Sequence, residues 1–295
     1  MRSGTVAVIG RANAGKSTLL NVLVGEKIAI VSPKPQTTRD RILGVLTREE
    51  YQIAFVDTPG IYRQRNALTA LMMKTTETTS KDVDALLFVH DGHAGLKEED
   101  IVLMQKYAAL GIPMLIAYTK IDIMPKEKIP ADIKMLFEAG VTADIYPVSA
   151  RKGQNLKNLE RAIAQLLPEG EPLFPEDVVS DRSEKFMISE LMREKILLKY
   201  EKEIPYGVAV IVNTFERHEN GAYEVNLDIV CEKQNHKAII IGKQGQALKE
   251  VASFARKDME KFLGAKVFLT VYVKVREGWR DKGSLMKEFG YTEEE

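Results

Sequence analysis

This 295-residue sequence has little cysteine and no long apolar run, and its formal net charge is zero. The single cysteine, Cys231, excludes an intramolecular disulfide and a cysteine-based zinc site. The sequence has no run of 18 apolar residues, so we expect no membrane-spanning helix. A strand-like pattern already occupies residues 5–9, so we also expect no signal peptide. His90 and His93 lack the flanking residues of a metal-binding motif. These features predict a cytoplasmic protein.

A zero net charge argues against a strong nucleic-acid binder, but the charge is unevenly distributed. Between Lys233 and Lys287 the sequence has thirteen lysines and arginines against five acidic residues. An ordinary solvated surface could have this composition, so the segment alone does not identify a ligand. It indicates where a polyanion would bind if the protein binds one.

The chain has two regions with different secondary-structure patterns. Strand-like and helical segments alternate up to about residue 168, which predicts an α/β domain with a mostly parallel sheet and helices on both faces. A proline-rich stretch at residues 169–181 reads as an inter-domain linker. Residues 182–295 follow the order helix, two strands, two helices, strand, and predict a smaller α+β domain.

The first strand is followed by a glycine-rich motif, GRANAGKS at residues 10–17, which fits GxxxxGK(S/T) and opens a helix. Such a loop points backbone N–H groups at a polyphosphate. Lys16 would reach the β- and γ-phosphates, and the Ser17 hydroxyl would bind Mg²⁺. The predicted phosphate-binding residues are Gly10, Asn13, Ala14, Gly15, Lys16, Ser17 and Thr18.

Two further segments are predicted to respond to the γ-phosphate. Asp57 begins a DTPG sequence at the end of a strand, so Asp57 would hold Mg²⁺ through water and Gly60 would contact the phosphate. The loop at residues 32–39 would be a first switch, in which Thr38 is preferred over Thr37 as a Mg²⁺ ligand. A second switch would span about residues 61–82.

The nucleotide base is predicted to be guanine. Thr119, Lys120 and Asp122 belong to a TKID sequence that follows another strand. The Asp122 carboxylate can accept hydrogen bonds from two guanine donors that adenine lacks, which disfavours an ATP-dependent kinase. Ser149 and Ala150, after the last strand, can place a backbone N–H on the guanine oxygen.

The basic segment contains a GxxG sequence between two helical patterns. A loop of this kind lets the backbone approach nucleotide phosphates and holds a single strand in the adjacent groove, although it could also be a bare helix–helix turn. The predicted RNA-binding residues are Lys237, Ile241, Gly242, Lys243, Gln244, Gly245 and Lys249.

Together the sequences GRANAGKST, QTTRD, DTPG, TKID, SA and IIGKQG resemble the Era family of bacterial GTPases along nearly the whole chain. The resemblance implies a Ras-like domain at residues 1–168 and a type II KH domain at residues 182–295. It implies binding of GTP, GDP, Mg²⁺ and the 3′ end of 16S rRNA, maturation of the small (30S) ribosomal subunit, and a monomer. Peripheral association with the inner face of the cell membrane is also reported for the family.

Two departures from the family pattern are Ala12, where proline is usual, and Thr119, where asparagine is usual. The first should affect mainly the stiffness of the phosphate-binding loop. Thr119 lacks the amide that normally ties the base loop to the phosphate-binding loop, so we expect lower nucleotide affinity.

Ile61 follows Gly60 at the position where Ras-like proteins have a catalytic glutamine. Members of the superfamily use K⁺ instead, held by a P-loop asparagine, and Asn13 stands at that position. We therefore expect K⁺ to assist hydrolysis; the alternative is that Asn13 only stabilises its own loop.

Other functions remain open from the sequence. They are a superfamily member acting on a different RNA, and an RNA-binding module whose nucleotide site is structural. A ribosome-assembly factor with two G domains and a tRNA-modifying enzyme with a C-terminal cysteine are disfavoured by the single G domain and by Cys231 being the lone cysteine.

Overall fold

The structure of the protein is a computed structural model that describes residues 1–61, 64–125 and 127–291. The chain forms two compact units. The first consists of residues 1–29, 38–63 and 72–181, and the second of residues 30–37, 64–71 and 182–295. Two short segments from the N-terminal part of the chain therefore belong to the second unit. Tyr62 and Arg63, which belong to the predicted second switch, lie outside the described residues, and so does Lys126.

The first unit is built on a six-stranded sheet in the order β2-β3-β1-β4-β5-β6. All neighbouring strands are parallel except β2, which runs antiparallel to β3. Nearly every residue of the central strands is buried, as expected for a sheet covered on both faces. The strands are β1 (Arg2–Ile9), β2 (Ile42–Thr47), β3 (Tyr51–Asp57), β4 (Ala85–Asp91), β5 (Met114–Thr119) and β6 (Asp144–Pro147).

Among the residues that the structure describes, five α-helices lie between β1 and residue 168, and the second of them, α2, was not predicted from the sequence. They are α1 (Lys16–Val24), α2 (Ala67–Thr79), α3 (Glu98–Ala108), α4 (Lys128–Glu138) and α5 (Leu156–Leu166). Three acidic residues stand in the first turn of α3, where the partial positive charge of the helix end favours them. The apolar sides of α3 and α4 meet the sheet in one cluster, in which Met104 and Leu136 pack near Phe88.

Residues 169–181, whose composition predicts a linker, lie against the sheet edge of the first unit. Phe174 and Val178 pack on a cluster of apolar residues from β2 and β3. The Gln52 amide donates to the Phe174 carbonyl over 2.8 Å and accepts from the Phe174 N–H over 2.9 Å. The segment thereby covers β2, a strand that the sequence reading omitted, and pairs part of its exposed edge.

The second unit contains a three-stranded sheet in the order β7-β8-β9, in which β7 and β8 are antiparallel and β8 and β9 are parallel. Its elements are α6 (Glu184–Lys199), β7 (Ala209–Arg217), β8 (Tyr223–Cys231), α7 (Gln234–Ile241), α8 (Gln246–Leu263), β9 (Val267–Val275) and α9 (Gly283–Glu288). Alternate residues of β8, including Leu227 and Ile229, form the core with α6 and α8. The Trp279 indole N–H is buried and donates to the Gly207 carbonyl over 2.9 Å.

No helix among the described residues has both the length and the apolar character that a bilayer crossing needs.

Candidate nucleotide site and nucleic-acid interface

The predicted phosphate-binding loop joins β1 to α1 and requires glycine at two positions. Gly10 has φ of 146°, and a Cβ there would lie 2.2 Å from the Val89 carbonyl oxygen. Gly15 has φ of 96° and caps α1. Gly60 packs on the loop, since a Cβ on it would lie 2.8 Å from the Ala12 Cα. Glycine has no side chain and therefore allows the backbone to approach this closely at these three positions.

Lys16 and Thr18 are the first and third residues of α1. The Lys16 ammonium is buried and donates to the carbonyls of Gly10 and Arg11 over 3.1 and 3.2 Å. Burial lowers the pKa of Lys16 to about 8, and the nearby Asp57 carboxylate opposes the shift. A buried ammonium with only carbonyl partners is suited to pair with an anion such as a phosphate.

Three oxygen-bearing side chains converge beside Lys16. The Ser17 Oγ lies 2.8 Å from Thr38 Oγ1 and 2.8 Å from Asp57 Oδ2, and Thr38 Oγ1 lies 3.3 Å from the same carboxylate oxygen. Thr37 instead donates its hydroxyl to the Lys34 carbonyl over 2.7 Å.

This group of oxygens fits a Mg²⁺ ion. Hydroxyl and carboxylate oxygens are the ligands that Mg²⁺ prefers. Asp57 Oδ1 is buried and has no hydrogen-bond partner within the described part of the chain. Burial raises the pKa of the Asp57 carboxyl, and a divalent cation beside it would favour the ionised form. Ser17, Thr38 and Asp57 are therefore the residues that could hold the metal.

The base-binding segments lie at the carboxyl ends of β5 and β6. Ser149 is fully buried and donates its hydroxyl to Asp122 over 2.7 Å, and this hydrogen bond holds the pKa of the Asp122 carboxyl below its usual value. Ala150 follows Ser149 and is partly exposed. The hydrogen bond from Ser149 fixes the orientation of this carboxylate, for which the sequence predicts a role in binding guanine.

Thr119 keeps the connection that the sequence comparison suggested it would lose. Its buried hydroxyl lies 2.7 Å from the Ala14 carbonyl oxygen of the phosphate-binding loop and 2.9 Å from the His90 carbonyl oxygen. A hydroxyl therefore reaches the same loop that the usual asparagine amide would, and the lower nucleotide affinity expected from Thr119 stays a prediction.

Lys120 connects the base loop to the phosphate-binding loop a second time. It has φ of 62°, and its ammonium donates to the Asn13 carbonyl over 2.8 Å and pairs with Asp91 over 2.5 Å. Asp91 is a residue that the sequence reading missed, although its place at the carboxyl end of β4 is the position where open α/β sheets bind ligands.

The predicted RNA-binding loop connects α7 to α8 in the second unit. Gly242 has φ of 72°, and a Cβ there would lie 2.6 Å from the Ala247 Cβ. Gln244 and Gly245 have φ of 51° and 77°, so the loop makes a tight left-handed turn. The side chains of Lys243, Gln244 and Lys249 are exposed, whereas Lys237 and Ile241 are partly buried on α7.

The two units correspond to two known families. The family model described as a 50S ribosome-binding GTPase matches residues 5–120, and the KH domain model matches residues 203–280. A phosphate-binding loop on a mostly parallel sheet, followed by a helix–GxxG–helix unit, therefore defines a P-loop GTPase with a C-terminal KH domain.

Relatives of known name extend the match to the full chain. The chain is 43% identical over 291 residues to GTPase Era of Clostridium kluyveri and 42% identical over 292 residues to that of Clostridium novyi, with 99% of each chain covered. A solved structure of an Aquifex aeolicus Era variant bound to GDP·AlF4− has a TM-score of 0.93 at 37% identity, covering 99% of this chain and 100% of that one.

A solved complex of Era with MgGDPNP and nucleotides 1506–1542 of 16S ribosomal RNA has a TM-score of 0.94 at 37% identity, with 99% of both chains covered. The chain belongs to the Era family of GTPases.

Proposed function

We propose that this GTPase is a nucleotide-dependent RNA-binding switch whose KH domain holds the 3′ end of 16S rRNA during maturation of the 30S subunit. The observation that supports the proposal most directly is the Gly242–Gly245 turn, with exposed Lys243 and Lys249 beside it, in a chain similar to an Era protein solved with that RNA. The tight turn lets phosphates approach the backbone, and the lysines supply positive charge.

We propose guanine nucleotides as the ligands of the first unit, with Asp122 on the base and Lys16 on the phosphates. Ser17, Thr38 and Asp57 would hold Mg²⁺, which when bound neutralises phosphate charge. Thr38 lies in the predicted first switch, and its hydroxyl would join the metal only in the GTP state. Loss of the γ-phosphate would then release the first switch.

We also propose that K⁺ assists hydrolysis. Ile61 cannot orient water, and its N–H is used in a hydrogen bond of 3.1 Å to the Gly10 carbonyl. Asn13 is an exposed residue of the phosphate-binding loop with φ of 65°, and the Lys120 ammonium fixes its carbonyl. A monovalent cation at this loop would add positive charge beside the phosphates, where charge develops in the transition state.

Three finer properties remain predictions: a cytoplasmic location, a monomeric state, and peripheral contact with the inner face of the cell membrane. Sedimentation of the full chain with anionic liposomes would test the membrane contact. Light scattering during size-exclusion chromatography would test the monomeric state.

Replacement of Lys243 and Gln244 by aspartate tests the RNA assignment. The change makes the charge of the loop more negative by three units, so binding of an oligonucleotide with the 16S 3′-end sequence should weaken about tenfold or more. GTP turnover without RNA should stay the same, because the substituted residues belong to the second unit. Fluorescence anisotropy and phosphate release measure the two effects.

A matched control changes the charge by the same amount elsewhere in the second unit, outside the basic segment, at the exposed Ser183 and Lys185. Ser183 caps α6, and aspartate caps a helix equally well. The variant with aspartate at both positions should bind RNA within about twofold of the unmodified protein. Undiminished RNA binding by the loop variant would overturn the assignment. Equal affinity for a scrambled oligonucleotide would favour a different RNA, and absence of GTP turnover would favour a structural nucleotide site.

A further inference from the structure

The segment at residues 30–37, which precedes Thr38, belongs to the second unit and is held there by α6. We call it the held segment. The Glu194 carboxylate accepts a hydrogen bond from the Val31 N–H over 2.9 Å, and the Lys34 ammonium donates to the Tyr200 carbonyl. Both contacts fix backbone or charged groups, so the segment has a defined path along the helix.

Arg193 makes the contacts nearest to Thr38. Its side chain is 1% exposed, and its guanidinium donates to the Gln36 carbonyl over 3.2 Å and to the Thr37 carbonyl. The same guanidinium forms a two-point ion pair with Glu190, one turn earlier in α6, at 2.6 and 2.5 Å. The ion pair fixes the plane of the guanidinium, and its two Nη atoms also donate to two consecutive carbonyls.

The backbone at this point has an unfavourable conformation that needs support. Gln36 has φ of 60°, which is uncommon for a residue other than glycine. The hydrogen bond from Arg193 to the Gln36 carbonyl supports this turn. The direction in which the chain leaves Thr37 is thereby set by a side chain of α6.

The boundary between the two compact units falls on the Thr37–Thr38 peptide bond. Thr37 has its carbonyl on Arg193, whereas the next residue has its hydroxyl 2.8 Å from Ser17 Oγ and 3.3 Å from the Asp57 carboxylate. One peptide bond therefore separates the guanidinium contact from the group of oxygens that fits Mg²⁺.

We infer that Arg193 is a positioning residue for GTP: by holding the carbonyls of Gln36 and Thr37, it places the Thr38 hydroxyl at the metal. The inference rests on the proposed function, in which Thr38 binds Mg²⁺ only when a γ-phosphate is present. Arginine suits this role because its planar fork can serve a carboxylate and two carbonyls together, whereas the lysine ammonium is a single point of charge. GDP binding does not involve Thr38 and should be independent of Arg193.

The test is Arg193→Lys in the full chain, which keeps a positive charge for Glu190 but loses the fork. Affinity for a fluorescent, non-hydrolysable GTP analogue in the presence of Mg²⁺ should fall about five- to tenfold, and affinity for GDP should change by less than about twofold. In a Thr38→Ala background, Arg193→Lys should have little further effect, because the group that it positions is absent.

The matched control is Lys199→Gln, which removes an exposed charge of the same helix that pairs with Glu250 at 2.6 Å and should change neither affinity. A second variant, Glu190→Gln with Arg193→Gln, removes both members of this ion pair and should show the same selective loss. It keeps the test decisive if the lysine variant does not fold.

Three results would overturn the inference. The first is that Arg193→Lys lowers the affinities for GDP and for the GTP analogue equally. The second is that Arg193→Lys weakens analogue binding just as much in the Thr38→Ala background. The third is that neither Arg193 variant weakens analogue binding although Thr38→Ala alone does. If Thr38→Ala alone binds the analogue normally, the magnesium assignment fails first and the inference fails with it.

Discussion

Replacing Thr119 by valine removes one hydroxyl from the connection between the base loop and the phosphate-binding loop, while the shape of the side chain stays the same. The Thr119 hydroxyl is buried and lies 2.7 and 2.9 Å from the carbonyl oxygens of Ala14 and His90. The hydroxyl has one hydrogen, so it can donate fully to only one of the two carbonyls. The valine methyl would leave both without this donor.

A buried polar group that loses its partner costs about 1–3 kcal/mol. We expect a value near the lower end, since only one hydrogen is lost. For a domain of this size, 1 kcal/mol corresponds to a fall in the melting temperature of roughly 2–4 °C. If the same free energy is lost from the ordering of the phosphate-binding loop, the affinities for GTP and GDP should each fall about fivefold.

Isothermal titration with both nucleotides and a thermal melt would measure these effects. Both nucleotides should be affected equally, because Ala14 belongs to the loop that contacts the phosphates they share. Thr119→Ser keeps the hydroxyl, and Thr119→Asn introduces the residue usual in the family, so both should retain most of the affinity. If Thr119→Val changed neither the affinities nor the melting temperature, the hydroxyl would not be the tie that we infer.

Three further predictions concern separate groups. Asp122→Ala should lower GTP affinity about a hundredfold or more, since it removes two charge-assisted hydrogen bonds of about 1.5–3 kcal/mol each; ATP binding as tight as GTP to the unmodified protein would disprove guanine selectivity in the same titration. GTP turnover should be faster in KCl than in NaCl at equal ionic strength, and Asn13→Ala should abolish the difference; equal rates in the two salts would exclude the K⁺ mechanism. Trp279→Phe loses the indole N–H that donates to the Gly207 carbonyl over 2.9 Å, so the free energy of unfolding should fall by about 1–3 kcal/mol in urea, and an unchanged midpoint would contradict this.

The fold class and most of the candidate site follow from short-range patterns. A glycine-rich loop between a strand and a helix, a DTPG sequence after β3 and a TKID sequence after β5 each combine a local conformation with a specific chemistry. Because parallel strands bring their carboxyl ends to one edge of the sheet, these local motifs also predict that their residues lie together. The GxxG turn is equally local, since it needs glycine at two positions of positive φ, Gly242 and Gly245.

Other features were absent from the sequence reading because they depend on contacts between distant residues. The strand β2 is short and gains its partners from β3 and from residues 178–180, more than a hundred positions later. The contact between the Thr119 hydroxyl and the Ala14 carbonyl likewise forms only in the folded chain, because the two residues are 105 positions apart.

The sequence by itself determined the class of protein, because phosphate, guanine and RNA recognition each need particular residues at fixed short spacings. Only the tertiary structure decided how the first switch is held. Arg193 and Gln36 are 157 residues apart, and no periodicity or motif relates them. Their contact arises because the chain folds residues 30–37 onto α6, where a buried guanidinium must find acceptors for its N–H groups and the backbone carbonyls of the held segment supply them.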